Sequence, residues 1–214
     1  MLVACWSVKG GVGTSVVAAS LALLLARDAA PGAVLADLAG DAPAVLGLPE
    51  PAGPGLAGWL AAGPEVPTDG LARLEVEAAP GLGLLPRGDG PLAPARARVL
   101  AAVLDRSPRP AVVDCGRCGD PAVDEVIRRA PVSLLVTRPC YLAVRRAATA
   151  PLRPTGVVLV DEPGRVLSAG DVEAAVRTRV VARVLVDPLV ARLVDAGLLT
   201  GRLPRTLHVL REVA

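Results

Sequence analysis

The sequence predicts an α/β domain, with a mostly parallel twisted sheet and helices on both of its faces. Short apolar runs alternate with longer helical patterns along the whole chain, the pattern of parallel strands joined by crossovers. The first run, Leu2-Val3-Ala4-Cys5-Trp6, meets the first helical pattern through a glycine-rich turn. At 214 residues, 52% hydrophobic and 21% charged, the chain suits one globular domain over residues 1–214 with a sizeable core.

Composition narrows the function. Aromatics are limited to Trp6, Trp59 and Tyr141, so the core must be Leu, Val and Ala. Stacking platforms for single-stranded nucleic acid are missing. The net charge of +2 is too small for a strong field, and nothing in the scattered arginines supports nucleic-acid binding. No signal peptide is read at the start, and the apolar run Leu21 to Ala26 is far short of a membrane span. A cytoplasmic protein with four reduced cysteines is expected.

The turn reads Ser7-Val8-Lys9-Gly10-Gly11-Val12-Gly13-Thr14-Ser15. Its glycines let backbone approach an anion closely, and amide N–H groups of Gly10, Gly11, Val12, Gly13, Thr14 and Ser15 can point at phosphate. Compared with the ordinary phosphate-loop pattern G-x-x-x-x-G-K-[ST], Val8 replaces the first glycine and Thr14 the lysine. Ser15 keeps the hydroxyl that holds Mg²⁺. Of 23 basic residues, Lys9 is the only lysine, and it stands at the front of this loop.

The remaining elements follow in order. Val16 to Ala30 is apolar nearly all round and predicts a buried helix, stopped by Pro31-Gly32. Ala33 to Ala36 is a strand ending at Asp37, with Asp41 close behind; Asp37 either serves chemistry at the sheet's carboxyl edge or caps the next turn. Residues 47–70, rich in Pro and Gly (Pro64 and Pro67 among them), form a loop excursion around a short helix at Leu56 to Ala61. Leu71 to Ala78 is read as an edge strand from Leu71, Leu74 and Val76, and Leu82 to Leu85 as a buried strand. A helix over Ala95 to Asp105 precedes the strand Ala111 to Asp114.

An apolar run ending in Asp114, then Cys115-Gly116, has the form of a Walker B strand. Asp114 is expected to bind Mg²⁺ through water, and Gly116 to let the next loop respond to a γ-phosphate. Cys115 and Cys118 form a C-x-x-C pair, half of a tetrahedral metal site that a symmetric dimer could complete, or else two ordinary small residues. Helix Pro121 to Ala130, strand Val132 to Thr137 and helix Tyr141 to Ala150 come next; Arg145 and Arg146 lie on a solvated face. A strand from Gly156 ends at Asp161, Ser168 caps a helix over Ala169 to Val176, and Val180 to Leu185 is the last strand. Asp187-Pro188 opens a helix, and Leu207, Leu210 and Val213 mark a helical tail that packs closed rather than binding membrane. His208, the only histidine, has no nucleophile signature beside it.

The loop K-G-G-x-G-[x]-[ST] resembles the deviant Walker A motif of the MinD/ParA family of ATPases, and the likeness extends through 111–116 to 33–41 and 156–162. It implies a SIMIBI-type phosphate-loop NTPase fold, with ATP and Mg²⁺ as cofactors. In that family the early lysine, here Lys9, reaches the partner's nucleotide across a homodimer. The Asp at Asp37 helps position the attacking water; Ala39 breaks the family's D-x-D, and Asp41 instead matches the spacing of the nitrogenase iron protein. Many relatives have Asn at the position of Asp161 to bind adenine. A carboxylate only accepts, which suits guanine, so GTP is possible. Asp187 and Pro188 fall in the loop that flanks the base.

Loss of the loop lysine resembles the pilus and septum-site branch of the family, TadZ or CpaE. The expectation is a nucleotide-dependent homodimeric switch with slow or absent hydrolysis, working with a protein partner in septum placement, pilus assembly or partitioning. The alternatives are an active partitioning ATPase, a metallochaperone using Cys115 and Cys118, and a scaffold that needs no nucleotide.

Overall fold

The computed structural model describes residues 1–28, 30–63 and 68–213. Ala29, Pro64 and Pro67, which the sequence assigns to the end of the first helix and to the Pro/Gly excursion, lie outside them.

Strands β1 (Leu2–Ser7), β2 (Ala33–Asp37), β3 (Val76–Ala79), β4 (Leu82–Leu85), β5 (Ala111–Arg117), β6 (Val132–Thr137), β7 (Gly156–Asp161) and β8 (Val180–Leu185) form one sheet. Its order is β3-β4-β2-β5-β1-β6-β7-β8. Every pairing is parallel except that of edge strand β3 with β4. The helices are α1 (Thr14–Asp28), α2 (Ala42–Leu46), α3 (Gly55–Ala61), α4 (Ala97–Asp105), α5 (Pro121–Arg129), α6 (Tyr141–Thr149), α7 (Ala169–Val176) and α8 (Pro188–Asp195). The α/β fold with a mostly parallel sheet is thus the one expected.

Alternation along each strand feeds two cores, one on each face of the sheet. Leu2, Ala4 and Trp6 of β1 pack on one face with α3, α4, α5 and α7. Val3 and Cys5 pack on the other with α1. Trp6 is fully buried, and its indole N–H donates to Ser133 Oγ at 2.9 Å. Truncation of such a side chain costs roughly 3–5 kcal/mol. The all-round apolar character of α1 is explained by its second cover, the closing segment Arg205–Val213 packed against the helix and β8.

Three readings are corrected. The stretch from Leu71 is not a strand: Thr68–Leu74 is 3-10 helix, and β3 begins only at Val76. A 3-10 helix has three residues per turn, so Leu71 and Leu74 share a face without alternation. The tail is likewise 3-10, with Leu207, Leu210 and Val213 stacked and buried. Helix α2 was not predicted; it is five residues long, with Pro43 in its first turn. No helix among the described residues is long and apolar enough to cross a membrane.

Candidate functional site

Central strand β1 lies between β5 and β6; the chain leaves β1 toward β2 on one side, and the crossover from β5 reaches β6 on the other, so a crevice opens at the carboxyl end of β1. The glycine-rich loop fills that crevice. Ser7 anchors its start: its hydroxyl donates to Gly116 O at 3.0 Å, and its carbonyl accepts from Cys118 N at 2.9 Å. Gly11 (φ +74°) and Gly13 (φ +96°) take the left-handed conformation that side chains rarely adopt. A Cβ on Gly10 or Gly11 would meet nothing within 4 Å, so this face of the loop is open. Helix α1 starts at Thr14 with no acid in its first turn, leaving its first N–H groups and the dipole's positive end unopposed.

Asp114 on β5 and Asp37 on β2 are register partners, two carboxyls side by side beneath the loop. Both are fully buried. Burial pushes the Asp114 carboxyl up to about 7, and the Asp37 charge adds to it; the Ser15 hydroxyl and the Gly116 N–H work against the rise. Asp114 Oδ1 accepts from Gly116 N at 3.0 Å, whereas Oδ2 has no hydrogen-bond partner among the described residues. A buried orphan carboxylate oxygen beside a serine hydroxyl is the donor chemistry a hard divalent cation takes, so these residues fit Mg²⁺.

Asp37 is differently occupied. Its Oδ1 accepts from Ala39 N (2.9 Å) and Gly40 N (2.7 Å), and its Oδ2 from Ala42 N (3.0 Å). It therefore builds the turn into α2, while burial pushes its carboxyl up against those bonds. Leu38, Ala39 and Asp41 form the cleft wall above it.

The cleft over the loop measures about 830 Å³. Gly10, Gly11, Gly13, Thr14 and Ser15 form its floor, and Asp41, Gly116, Arg87, Arg117 and Asp120 stand around it. Thr14 is buried at 6% exposure and brings no charge. Val12 is buried in the core behind the loop. Lys9 does not line the cleft: its Nζ turns back to donate to Gly10 O at 3.3 Å, its one hydrogen bond among the described residues. Cys115 is buried and Cys118 half-buried; burial pushes both thiols up, Cys115 further still by the Asp114 charge. Among the described residues no three His, Cys, Asp or Glu side chains cluster as metal ligands.

A second, mostly apolar cavity of about 300 Å³ adjoins the first and shares Gly13, Val16, Val194 and Asp195 with it. Val160, Val184, Val186, Asp187 and Arg138 line it. Asp187 caps α8, accepting from Leu189 N at 2.8 Å and Thr206 Oγ1 at 3.2 Å; Pro188 starts the helix. Asp161 is not brought here. Arg183 on the neighbouring strand β8 holds its carboxylate at 2.5 Å.

Solved structures match this arrangement over nearly their whole length. The cell division ATPase MinD of Pyrococcus furiosus superposes with a TM-score of 0.79 at 18% identity, covering 99% of this chain and 97% of that one. The ParA family ATPase of Chlorobium tepidum gives 0.78 at 18%, covering 98% and 96%. The fold is that of the MinD and ParA ATPases. MinD of Pyrococcus horikoshii, solved with Mg-ADP, gives 0.76 at 17%, covering 100% and 94%. No protein-family model and no curated protein sequence matches the chain.

Of the residues that the sequence names, the structure puts the glycine loop, Asp41 and Gly116 on the cleft, Asp37 and Asp114 buried beside it and Asp187 on the adjoining cavity, while Asp161 is held by Arg183. Sequence reasoning passed over Arg87, Arg117, Asp120 and Arg138. Their shared signal is position: Arg117 ends β5 and the others closely follow the carboxyl end of a strand, where open α/β sheets bind ligands.

Proposed function

We propose that this chain is a nucleotide-dependent switch of the MinD/ParA kind, binding ATP or GTP with Mg²⁺ and pairing as a homodimer. The observation that carries this is the Ser15–Asp114 pair, with its orphan Oδ2, at the head of an open glycine loop and a helix free of first-turn acids. The loop and first-turn N–H groups hold the phosphates. Ser15 and Asp114 hold Mg²⁺, which supplies charge neutralisation for the phosphates. The apolar cavity beside Gly13 takes the base. With Asp161 drawn to Arg183, the carboxylate that would read guanine is turned away, and the mostly apolar lining recognises the base by shape more than by hydrogen bonds.

Lys9, tied among the described residues only to its own loop, is available to a partner's nucleotide. Thr14 offers no charge to a developing transition state. Loss of one such contact commonly costs on the order of 10²-fold or more, so hydrolysis is slow or absent. The substitution of the loop lysine supports a reading close to the TadZ or CpaE branch, acting on a protein partner in septum placement, pilus assembly or partitioning in the cytoplasm. The buried Cys115 gives no support to a metallochaperone.

The test is the mass of nucleotide-stripped protein by light scattering, with and without Mg²⁺ and ATP or GTP. A monomer that doubles only with Mg²⁺ and nucleotide supports the switch. A mass indifferent to nucleotide rejects it.

A further inference from the structure

The cleft over the phosphate loop holds a cation in an unusually fixed position. Arg87 follows the end of β4. The first turn of α3 clamps its backbone: Leu56 N donates to Pro86 O and Ala57 N to Arg87 O, both at 2.8 Å. The side chain is fixed as well. Nε donates to Leu38 O at 3.2 Å, Nη1 to Gly88 O at 3.0 Å and Nη2 to Gly90 O at 2.9 Å. No carboxylate pairs with it among the described residues. A guanidinium has five N–H donors, so donors remain for a ligand in the cleft that Arg87 lines.

The charges around that cleft are otherwise unsuited to a polyphosphate. Asp41, Asp120 and Asp195 contribute negative charge to the wall. Thr14 contributes none where a lysine is usual, and Lys9 turns back on its own loop. Arg117 also lines the cleft, but it is exposed and has no partner among the described residues, so ordering it costs side-chain entropy. Arg87 has already met that cost through its three carbonyls.

We propose that Arg87 supplies, within the same chain, the positive charge toward the terminal phosphates that Thr14 cannot. The cation has moved from the loop to the end of β4, onto a residue braced by the Pro/Gly-rich excursion. This rests on the nucleotide-binding reading above.

Calorimetric titration of Mg²⁺-ATP and of AMP into the wild type, Arg87→Gln, and Arg87→Gln with Thr14→Lys tests it. Arg87→Gln should weaken ATP about tenfold to a hundredfold, in line with loss of a charge-assisted hydrogen bond, and AMP much less. A lysine returned to the loop should restore ATP binding in the double variant, which a merely structural role of Arg87 would not allow. Unchanged ATP affinity in Arg87→Gln, or a loss that Thr14→Lys leaves unrepaired, overturns the proposal while the nucleotide reading stands. A wild type silent to every nucleotide removes both. Should Arg87→Gln not fold, Arg87→Lys decides: retained preference for ATP over AMP supports the charge, and its loss overturns it.

Discussion

The Ser15 hydroxyl faces the Asp114 carboxylate, and Asp114 Oδ2 is left buried without a hydrogen-bond partner among the described residues. Ser15 belongs to the first turn of α1 and Asp114 to β5, so the pair joins the phosphate loop to the strand beside β1. An orphan oxygen in such a place destabilises the protein on its own and favours a bound cation.

That relationship has a sign in pH. The Asp114 carboxyl stands at about 7 when folded, against 3.8 ordinarily, so between these values the folded state holds a proton the unfolded state lacks. Stability from this group is therefore present below about pH 4 and is lost as pH rises to about 7. Asp37, also pushed up by burial, acts in the same direction. Without Mg²⁺, thermal melts should fall from pH 5 to pH 8, less steeply in Asp114→Asn. A wild-type slope equal to that of the variant would contradict the assignment.

Lys9→Ala should leave the melting of the monomer unchanged within about 0.5 kcal/mol, because the one hydrogen bond of Nζ among the described residues is the exposed contact to Gly10 O. Nucleotide-dependent dimers should nevertheless disappear in light scattering. Dimers that persist would remove Lys9 from the interface.

Asp37→Asn keeps one accepting oxygen but puts an NH₂ where the carboxylate accepted a backbone N–H. The turn into α2 should lose roughly 1–3 kcal/mol in urea unfolding. An unchanged midpoint would mean that the three bonds contribute nothing net.

Gly116 has φ +55°, and a Cβ there would stand 2.9 Å from Ala39 Cβ, so the loop after β2 touches the end of β5 at this point. Gly116→Ala should cost about 1–2 kcal/mol from the left-handed backbone alone and should weaken nucleotide binding by displacing the Ala39 loop. Wild-type affinity in that variant would show that the end of β5 and the loop after β2 act separately.

Much of the sheet was legible because its strands are continuous apolar runs, as parallel strands buried on both faces must be. β2, β6 and β8 begin and end where the sequence places them. What failed was period. Leu71 and Leu74, like Leu207 and Leu210, recur every three residues, which is the 3-10 repeat and was read as strand or helix. The site was legible where a motif names the residue, as at Ser15 and Asp114. Arg183 capturing Asp161, and Arg87 reaching the cleft, depend on which strands become neighbours, and no local pattern carries that.

The central claim is that the site binds nucleotide through Mg²⁺, and calorimetry on nucleotide-stripped protein tests it most directly. Saturable binding of ATP or GTP that needs Mg²⁺ and is lost in Asp114→Asn is the predicted result. No binding of either nucleotide by folded wild-type protein would contradict it.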